Sequence, residues 1–105
     1  MRGYQQGDVI LKCVAGVPVG AKPCATKNGK YVLAEGETTG HAHRVEATND
    51  VEMFEKDGTL YLRVVEEAQV QHEEHLPQTL QPGVYEIGIV KEVDPFTDEV
   101  RAVRD

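Results

Sequence analysis

A chain of 105 residues has room for one domain, spanning 1–105, and for a modest core. With 6% aromatic residues and no Trp, that core must be built mainly from Val, Leu and Ile, a composition that leans toward β-structure. A formal charge of −7, with 18 acidic against 11 basic residues and no Lys/Arg cluster, argues against a nucleic-acid partner, whose phosphates demand a basic face, and leaves a field that draws cations.

The start, Met1 to Cys13, carries one Arg and an apolar run too short for a signal peptide. No apolar stretch approaches the roughly 20 residues of a membrane span, so a soluble, cytoplasmic protein without a membrane partner is expected. Val9-Ile10-Leu11-Lys12-Cys13-Val14 reads as the first strand. Val17-Pro18-Val19-Gly20 and Lys22-Pro23 call for a loop, because proline denies a ladder its donors. Asn28-Gly29 is a tight-turn pair leading into a strand at Tyr31-Val32-Leu33-Ala34. The bend Glu35 to Gly40, with Thr38 and Thr39 in ordinary turn roles, opens onto an alternating strand, His41 to Glu46. Asn49-Asp50 turns the chain. Val51 to Glu55 and Leu60 to Val65 then flank Lys56-Asp57-Gly58-Thr59, where Asp-Gly between two β-rich runs signals a hairpin.

Glu66 to Gln71 extends that strand or forms a short helical turn, stopped early by Pro77; strand and then loop is the preferred reading. Pro82-Gly83 precedes a clear strand, Val84 to Val90, with Tyr85, Ile87 and Ile89 on one face. Asp94-Pro95 turns the chain, and Glu99 to Val103 makes a last short strand. The expected fold is all-β, a small antiparallel barrel or sandwich of about seven or eight short strands.

All 4 histidines fall in two tight pairs, His41-Ala42-His43 and His72-Glu73-Glu74-His75. On a strand, residues at i and i+2 face one way, so the rings of His41 and His43 can converge on one ion. Gly40 just before them would let a ligand or another backbone come close. The i, i+3 spacing of His72 and His75 also puts both on one side of a turn. Four imidazoles point to a transition metal, zinc first and iron, nickel or copper next, rather than magnesium or calcium. The competing readings are a pH-sensing patch or simply four unrelated histidines. Glu73, Glu74 and Glu46 are candidates for orienting the rings or for a general base on metal-bound water, Glu73 and Glu74 being the best placed. Arg44 points away from His43 and reads as solvent-facing. Cys13 and Cys24 have no zinc-type spacing and read as reduced core thiols, a hairpin disulfide or an extra ligand being the alternatives.

Gly36-Glu37-Thr38-Thr39-Gly40-His41-Ala42-His43, His72-Glu73-Glu74-His75 and Pro82-Gly83-Val84-Tyr85-Glu86 together resemble a small bacterial and phage-borne family with a GExTGHxH segment followed by HxEH. That resemblance covers Gly7 to Asp105 and implies a shared fold and a shared histidine site, with no reaction attached. His41-Ala42-His43 with Glu46 is also similar to the first motif of the cupins. Here, however, His72 and His75 precede Pro82-Gly83, where a cupin places its histidine after the turn, and one histidine is extra, so cupin chemistry is in doubt.

Three functions compete. A closed four-histidine shell would make a metal-stabilised structural or interaction domain, a homo-oligomer or part of a larger assembly. Three histidines with an open position and a Glu base would make a cupin-like or hydrolytic metalloenzyme. A metal-free binding module would use the histidines as a pH-dependent contact. With no Ser, no nucleophile spacing and no phosphate loop in the chain, the first is preferred.

Overall fold

The computed structural model describes residues 3–35 and 40–90. They form ten strands and no helix: β1 (Gly3–Gln6), β2 (Val9–Val14), β3 (Lys22–Pro23), β4 (Lys30–Glu35), β5 (Ala42–Glu46), β6 (Val51–Lys56), β7 (Thr59–Val64), β8 (Ala68–His72), β9 (His75–Leu80) and β10 (Gly83–Ile89). One sheet has the order β1-β2-β10-β7-β6-β3, the other β4-β5-β8-β9, and every pairing is antiparallel. The two sheets make a sandwich rather than a closed barrel.

Local chemistry sets the turns. Between β6 and β7, Lys56 pairs with Thr59, and Asp57 and Gly58 take φ of 52° and 84°, the left-handed pair a two-residue hairpin favours. Asn28-Gly29 behaves in the same way, with φ of 56° and 76° between the bridged Lys27 and Lys30. The inward faces of both sheets merge into one core. Val9, Leu11, Met53, Leu62, Tyr85 and Ile87 come from the larger sheet, and Leu33, Val45, Val70 and Leu80 from the smaller. Both cysteines are free and pack against this core, as their reduced reading requires. Burial, and then the nearby Glu55, push the Cys24 thiol pKa up.

Two sequence readings need correction. Lys22-Pro23 is a two-residue strand, tolerated because β3 lies at the edge of its sheet, where a missing proline donor costs little. The segment after His72 is not a loop: β9 runs straight through Pro77, with a bulge that absorbs the proline. The helical alternative at 66–75 gives way to β8. The Gly36 to Thr39 bend, the Asp94-Pro95 turn and the Glu99 to Val103 strand lie outside the described residues. Among those described, no helix is long and apolar enough to cross a membrane.

Candidate metal centre

Three strand features bring the histidines together. First, β4 carries a bulge at Leu33, and along β5 His43 and Val45 turn into the sandwich while Glu46 stays exposed. Second, the β8–β9 register shifts. Val70 faces Gln78, but two residues further along β8 His72 faces His75, so Leu76 and Pro77 together oppose Gln71. Regular pairing would have put His72 opposite Leu76; the bulge aligns the two histidines instead. Third, Glu73-Glu74 is then a two-residue hairpin turn, so the i, i+3 pair meets across strands and not along a helix.

The four rings form one cluster. Centroid separations are 4.3 Å for His43–His72, 4.6 Å for His72–His75, 5.7 Å for His41–His72 and 5.9 Å for His43–His75. Donor atoms of His41, His72 and Glu73 all lie within 4.8 Å of one another, a set that could hold a metal ion. His43 is 2% exposed, whereas His75 is open to solvent.

The carboxylates divide. Glu73 accepts from Arg44 Nη1 at 2.6 Å and from the Ala42 amide at 3.0 Å, continuing the β5–β8 pairing with a side chain. Arg44 also donates to Gly40 O at 3.0 Å. Arg44 is therefore not a solvent-facing bystander; it ties the segment before His41 to the β8–β9 turn. Glu74 approaches His41 Nδ1 at 3.6 Å, and its amide donates to His72 Nδ1 at 3.0 Å. Glu46 turns outward to Lys30 at 3.5 Å, on the opposite face of β5 from His43. Gly40 brings no close approach: a Cβ there would meet nothing within 4 Å, and its φ of 86° is what demands glycine.

The β1–β2 hairpin supplies what the sequence alone does not disclose. Gln6, 2% exposed, donates through its amide to Val70 O at 2.9 Å and Leu76 O at 2.8 Å. Its oxygen faces His43 Nδ1 at 2.8 Å. With both amide protons committed to carbonyls, that oxygen is an acceptor, so His43 Nδ1 carries a proton. Metal-binding imidazoles are oriented in the same manner by their outer partners. His43 Nε2 looks toward Asp8 Oδ1 at 3.5 Å. Gly7 lies so close to His75 that a Cβ would sit 2.7 Å from Nε2. A Gly-Asp turn ahead of Val9 hints at a hairpin, but nothing local marks Gln6 or Asp8 as neighbours of histidines more than thirty positions away.

A family model described as a domain of unknown function, DUF8820, matches residues 5–89, from the β1–β2 hairpin to the end of β10. The chain belongs to the DUF8820 family. No curated protein and no solved structure matches it. The DUF8820 segment contains all four histidines together with Gln6, Asp8, Arg44 and Glu73.

Within the DUF8820 segment the electrostatics follow from these contacts. Burial, and then the neighbouring His72, lower the His43 pKa and favour the neutral ring, with Asp8 opposing them. The Arg44 guanidinium and the Ala42 amide hold the Glu73 carboxyl down to about 2, so it stays ionised. An imidazole kept neutral by burial, beside a fixed carboxylate, is the donor type that zinc and its neighbours take.

Proposed function

We propose that the domain binds one transition-metal ion, zinc by ligand type, at the cluster of His41, His43, His72 and His75, and that the ion orders this end of the sandwich rather than running a reaction. The observation that carries this reading is the convergence of His41, His72 and Glu73 donor atoms within 4.8 Å, beside the His43 and His75 rings. Ligands bound at about 2.0–2.1 Å stand no more than roughly 4.2 Å apart, so the set needs only a small closure to grip an ion.

The placement of Glu73 supports an ordering role. A general base must be free to take a proton near the working pH, whereas both Glu73 oxygens already accept hydrogen bonds. Binding also rearranges the turn. A neutral imidazole has one bare nitrogen, so ligation through His72 Nδ1 displaces the Glu74 amide, and ligation through Nε2 puts a proton on Nδ1; either way that hydrogen bond is lost.

The test is elemental analysis of untagged protein, followed by zinc titration of wild type and of His41→Ala and His72→Ala. About one zinc per chain, lost in both variants, is expected. Wild type that carries no metal and takes up no added zinc would sink the proposal.

A further inference from the structure

We infer that Asp8 is itself a metal ligand, its carboxylate and His43 Nε2 forming one edge of the ion's coordination shell. This rests on the metal-binding reading above and adds to it a ligand from the opposite sheet, on a turn distant in sequence from every histidine.

The argument begins with the hydrogen-bond count at Gln6. Its two amide protons go to Val70 O and Leu76 O, so its oxygen receives the proton of His43 Nδ1. With Nδ1 committed to Gln6, Nε2 is the nitrogen left for a metal, and it faces a carboxylate oxygen, Asp8 Oδ1, at 3.5 Å. An imidazole nitrogen and a carboxylate oxygen turned toward each other can both donate to one cation between them. A shared proton would draw nitrogen and oxygen to about 2.7–2.9 Å, the length of a charge-assisted hydrogen bond. The observed separation is well beyond that. In a tetrahedral shell of Asp8, His43 and two of the other imidazoles, with metal–ligand bonds of about 2.0–2.2 Å, neighbouring ligand atoms are about 3.3–3.5 Å apart, which matches.

The surroundings agree. His72 lies against His43 with its ring centroid 4.3 Å away, so another imidazole borders the pair. Gly7, the residue before Asp8, has no side chain and thereby admits His75 Nε2 to the same side of the turn. The Asp8 side chain is 62% exposed and adjusts without disturbing the core. Its backbone carbonyl, which accepts from the Val90 amide at 2.8 Å, does not depend on the side chain. An ion held by Asp8 and the histidines joins the β1–β2 hairpin of one sheet to β5, β8 and β9 of the other.

The experiment is a zinc titration of the full chain against a chromophoric chelator, on wild type, Asp8→Asn, His43→Ala and the double variant. Asn keeps the size and the turn preference of Asp while removing the charge. Thermal melting in chelator checks that all four proteins are folded. In parallel, the ring nitrogens of His43 are followed by long-range proton–nitrogen NMR with and without zinc. The expected result is at least a tenfold loss of affinity in Asp8→Asn, since losing a ligand should cost no less than losing an outer partner. In the His43→Ala background the same change should cost markedly less, because the two act on one ion. The Nε2 resonance of wild-type His43 should move on zinc addition while Nδ1 stays protonated. Affinity in Asp8→Asn within twofold of wild type would overturn the assignment and leave the histidine site standing. So would a His43 ring protonated at both nitrogens and unmoved by saturating zinc, which would make the contact an ordinary ion pair. If wild type binds no zinc at all, both readings fall together.

Discussion

Replacing Gln6 by Met tests the hydrogen-bond network that holds the site. Met is similar in length and apolar, so the change removes polarity with little loss of volume. It strips the partner from Val70 O and from the His43 Nδ1 proton, both in the buried interior, and from Leu76 O at its margin. A buried polar group left without a partner costs about 1–3 kcal/mol. Two such groups come to about 2–6 kcal/mol, less about 1 kcal/mol returned by the added apolar burial, leaving about 1–5 kcal/mol. For a domain of this size that lowers Tm by about 4 °C at the least, and by more than about 10 °C at the middle of the range. Calorimetry and urea unfolding in chelator would measure it. A second readout separates positioning from packing. Without Gln6 the His43 ring no longer has a preferred tautomer, and zinc affinity should fall about 10–100-fold, as for lost outer partners elsewhere. In a His43→Ala background the Gln6 change should barely alter zinc affinity. A Tm shift below about 3 °C with unchanged zinc binding would refute the reasoning, because it would mean that water replaces the amide at no cost.

Three other outcomes are expected. Gly7→Ala puts a Cβ 2.7 Å from His75 Nε2 on a residue with φ of 60°; it should cost about 1–2 kcal/mol in urea unfolding and, by swinging the His75 ring away, weaken zinc binding severalfold. Arg44→Ala removes a partly exposed ion pair and should change stability by less than about 1 kcal/mol while measurably reducing zinc affinity, since the Gly40 and Glu73 anchors on either side of His41 and His72 are loosened. In metal-free protein, stability should fall as pH drops below about 6.5. The native His43 ring holds its proton less well than the unfolded one, so the unfolded state binds more protons there. A further fall from near 4.5 toward about 2 comes from Glu73, whose lowered pKa stabilises the fold only while the carboxyl is ionised. Urea titrations across pH would show both steps, and His43→Gln should lack the first.

The readable parts of this protein are those where chemistry acts over a few residues. Asp57-Gly58 and Asn28-Gly29 declare their turns because left-handed backbone needs those residue types, and the Val9 to Val14 and Val84 to Val90 runs declare core strands by composition. Period two accounts for little of the first pair: His41 precedes β5, and it is His72 that meets both His41 and His43. The His72/His75 pair is less legible. Spacing says that the two share a side, but a hairpin and a helical turn give the same answer, and only the ladder shows which one forms. β9 was hidden by Pro77, whose missing donor is accommodated by a bulge that depends on β8. Gln6 and Asp8 could not be read at all. Their significance is a tertiary pairing of the first hairpin with the second sheet, and a Gln followed by Gly-Asp looks like any surface turn.

The modest aromatic content suggests a core in need of a metal staple, and the packing qualifies that idea. One apolar cluster already crosses both sheets, from Val9 and Leu11 through Leu62 and Val70 to Leu80 and Tyr85. His43 is buried beside it, while His41 and His72 are half-buried and His75 is exposed. An ion there adds binding energy to a fold whose core is separately complete. Its stabilisation should therefore grow logarithmically with free zinc, about 2.7 kcal/mol at a hundredfold excess over Kd, instead of switching the chain from unfolded to folded. The parts that would gain order on binding are the β8–β9 turn, which would give up the Glu74–His72 hydrogen bond, and the entry to β5 held by Arg44. Gln6 fastens the two sheets through Val70, Leu76 and His43, and an ion bound at the histidines would be a second fastener beside it.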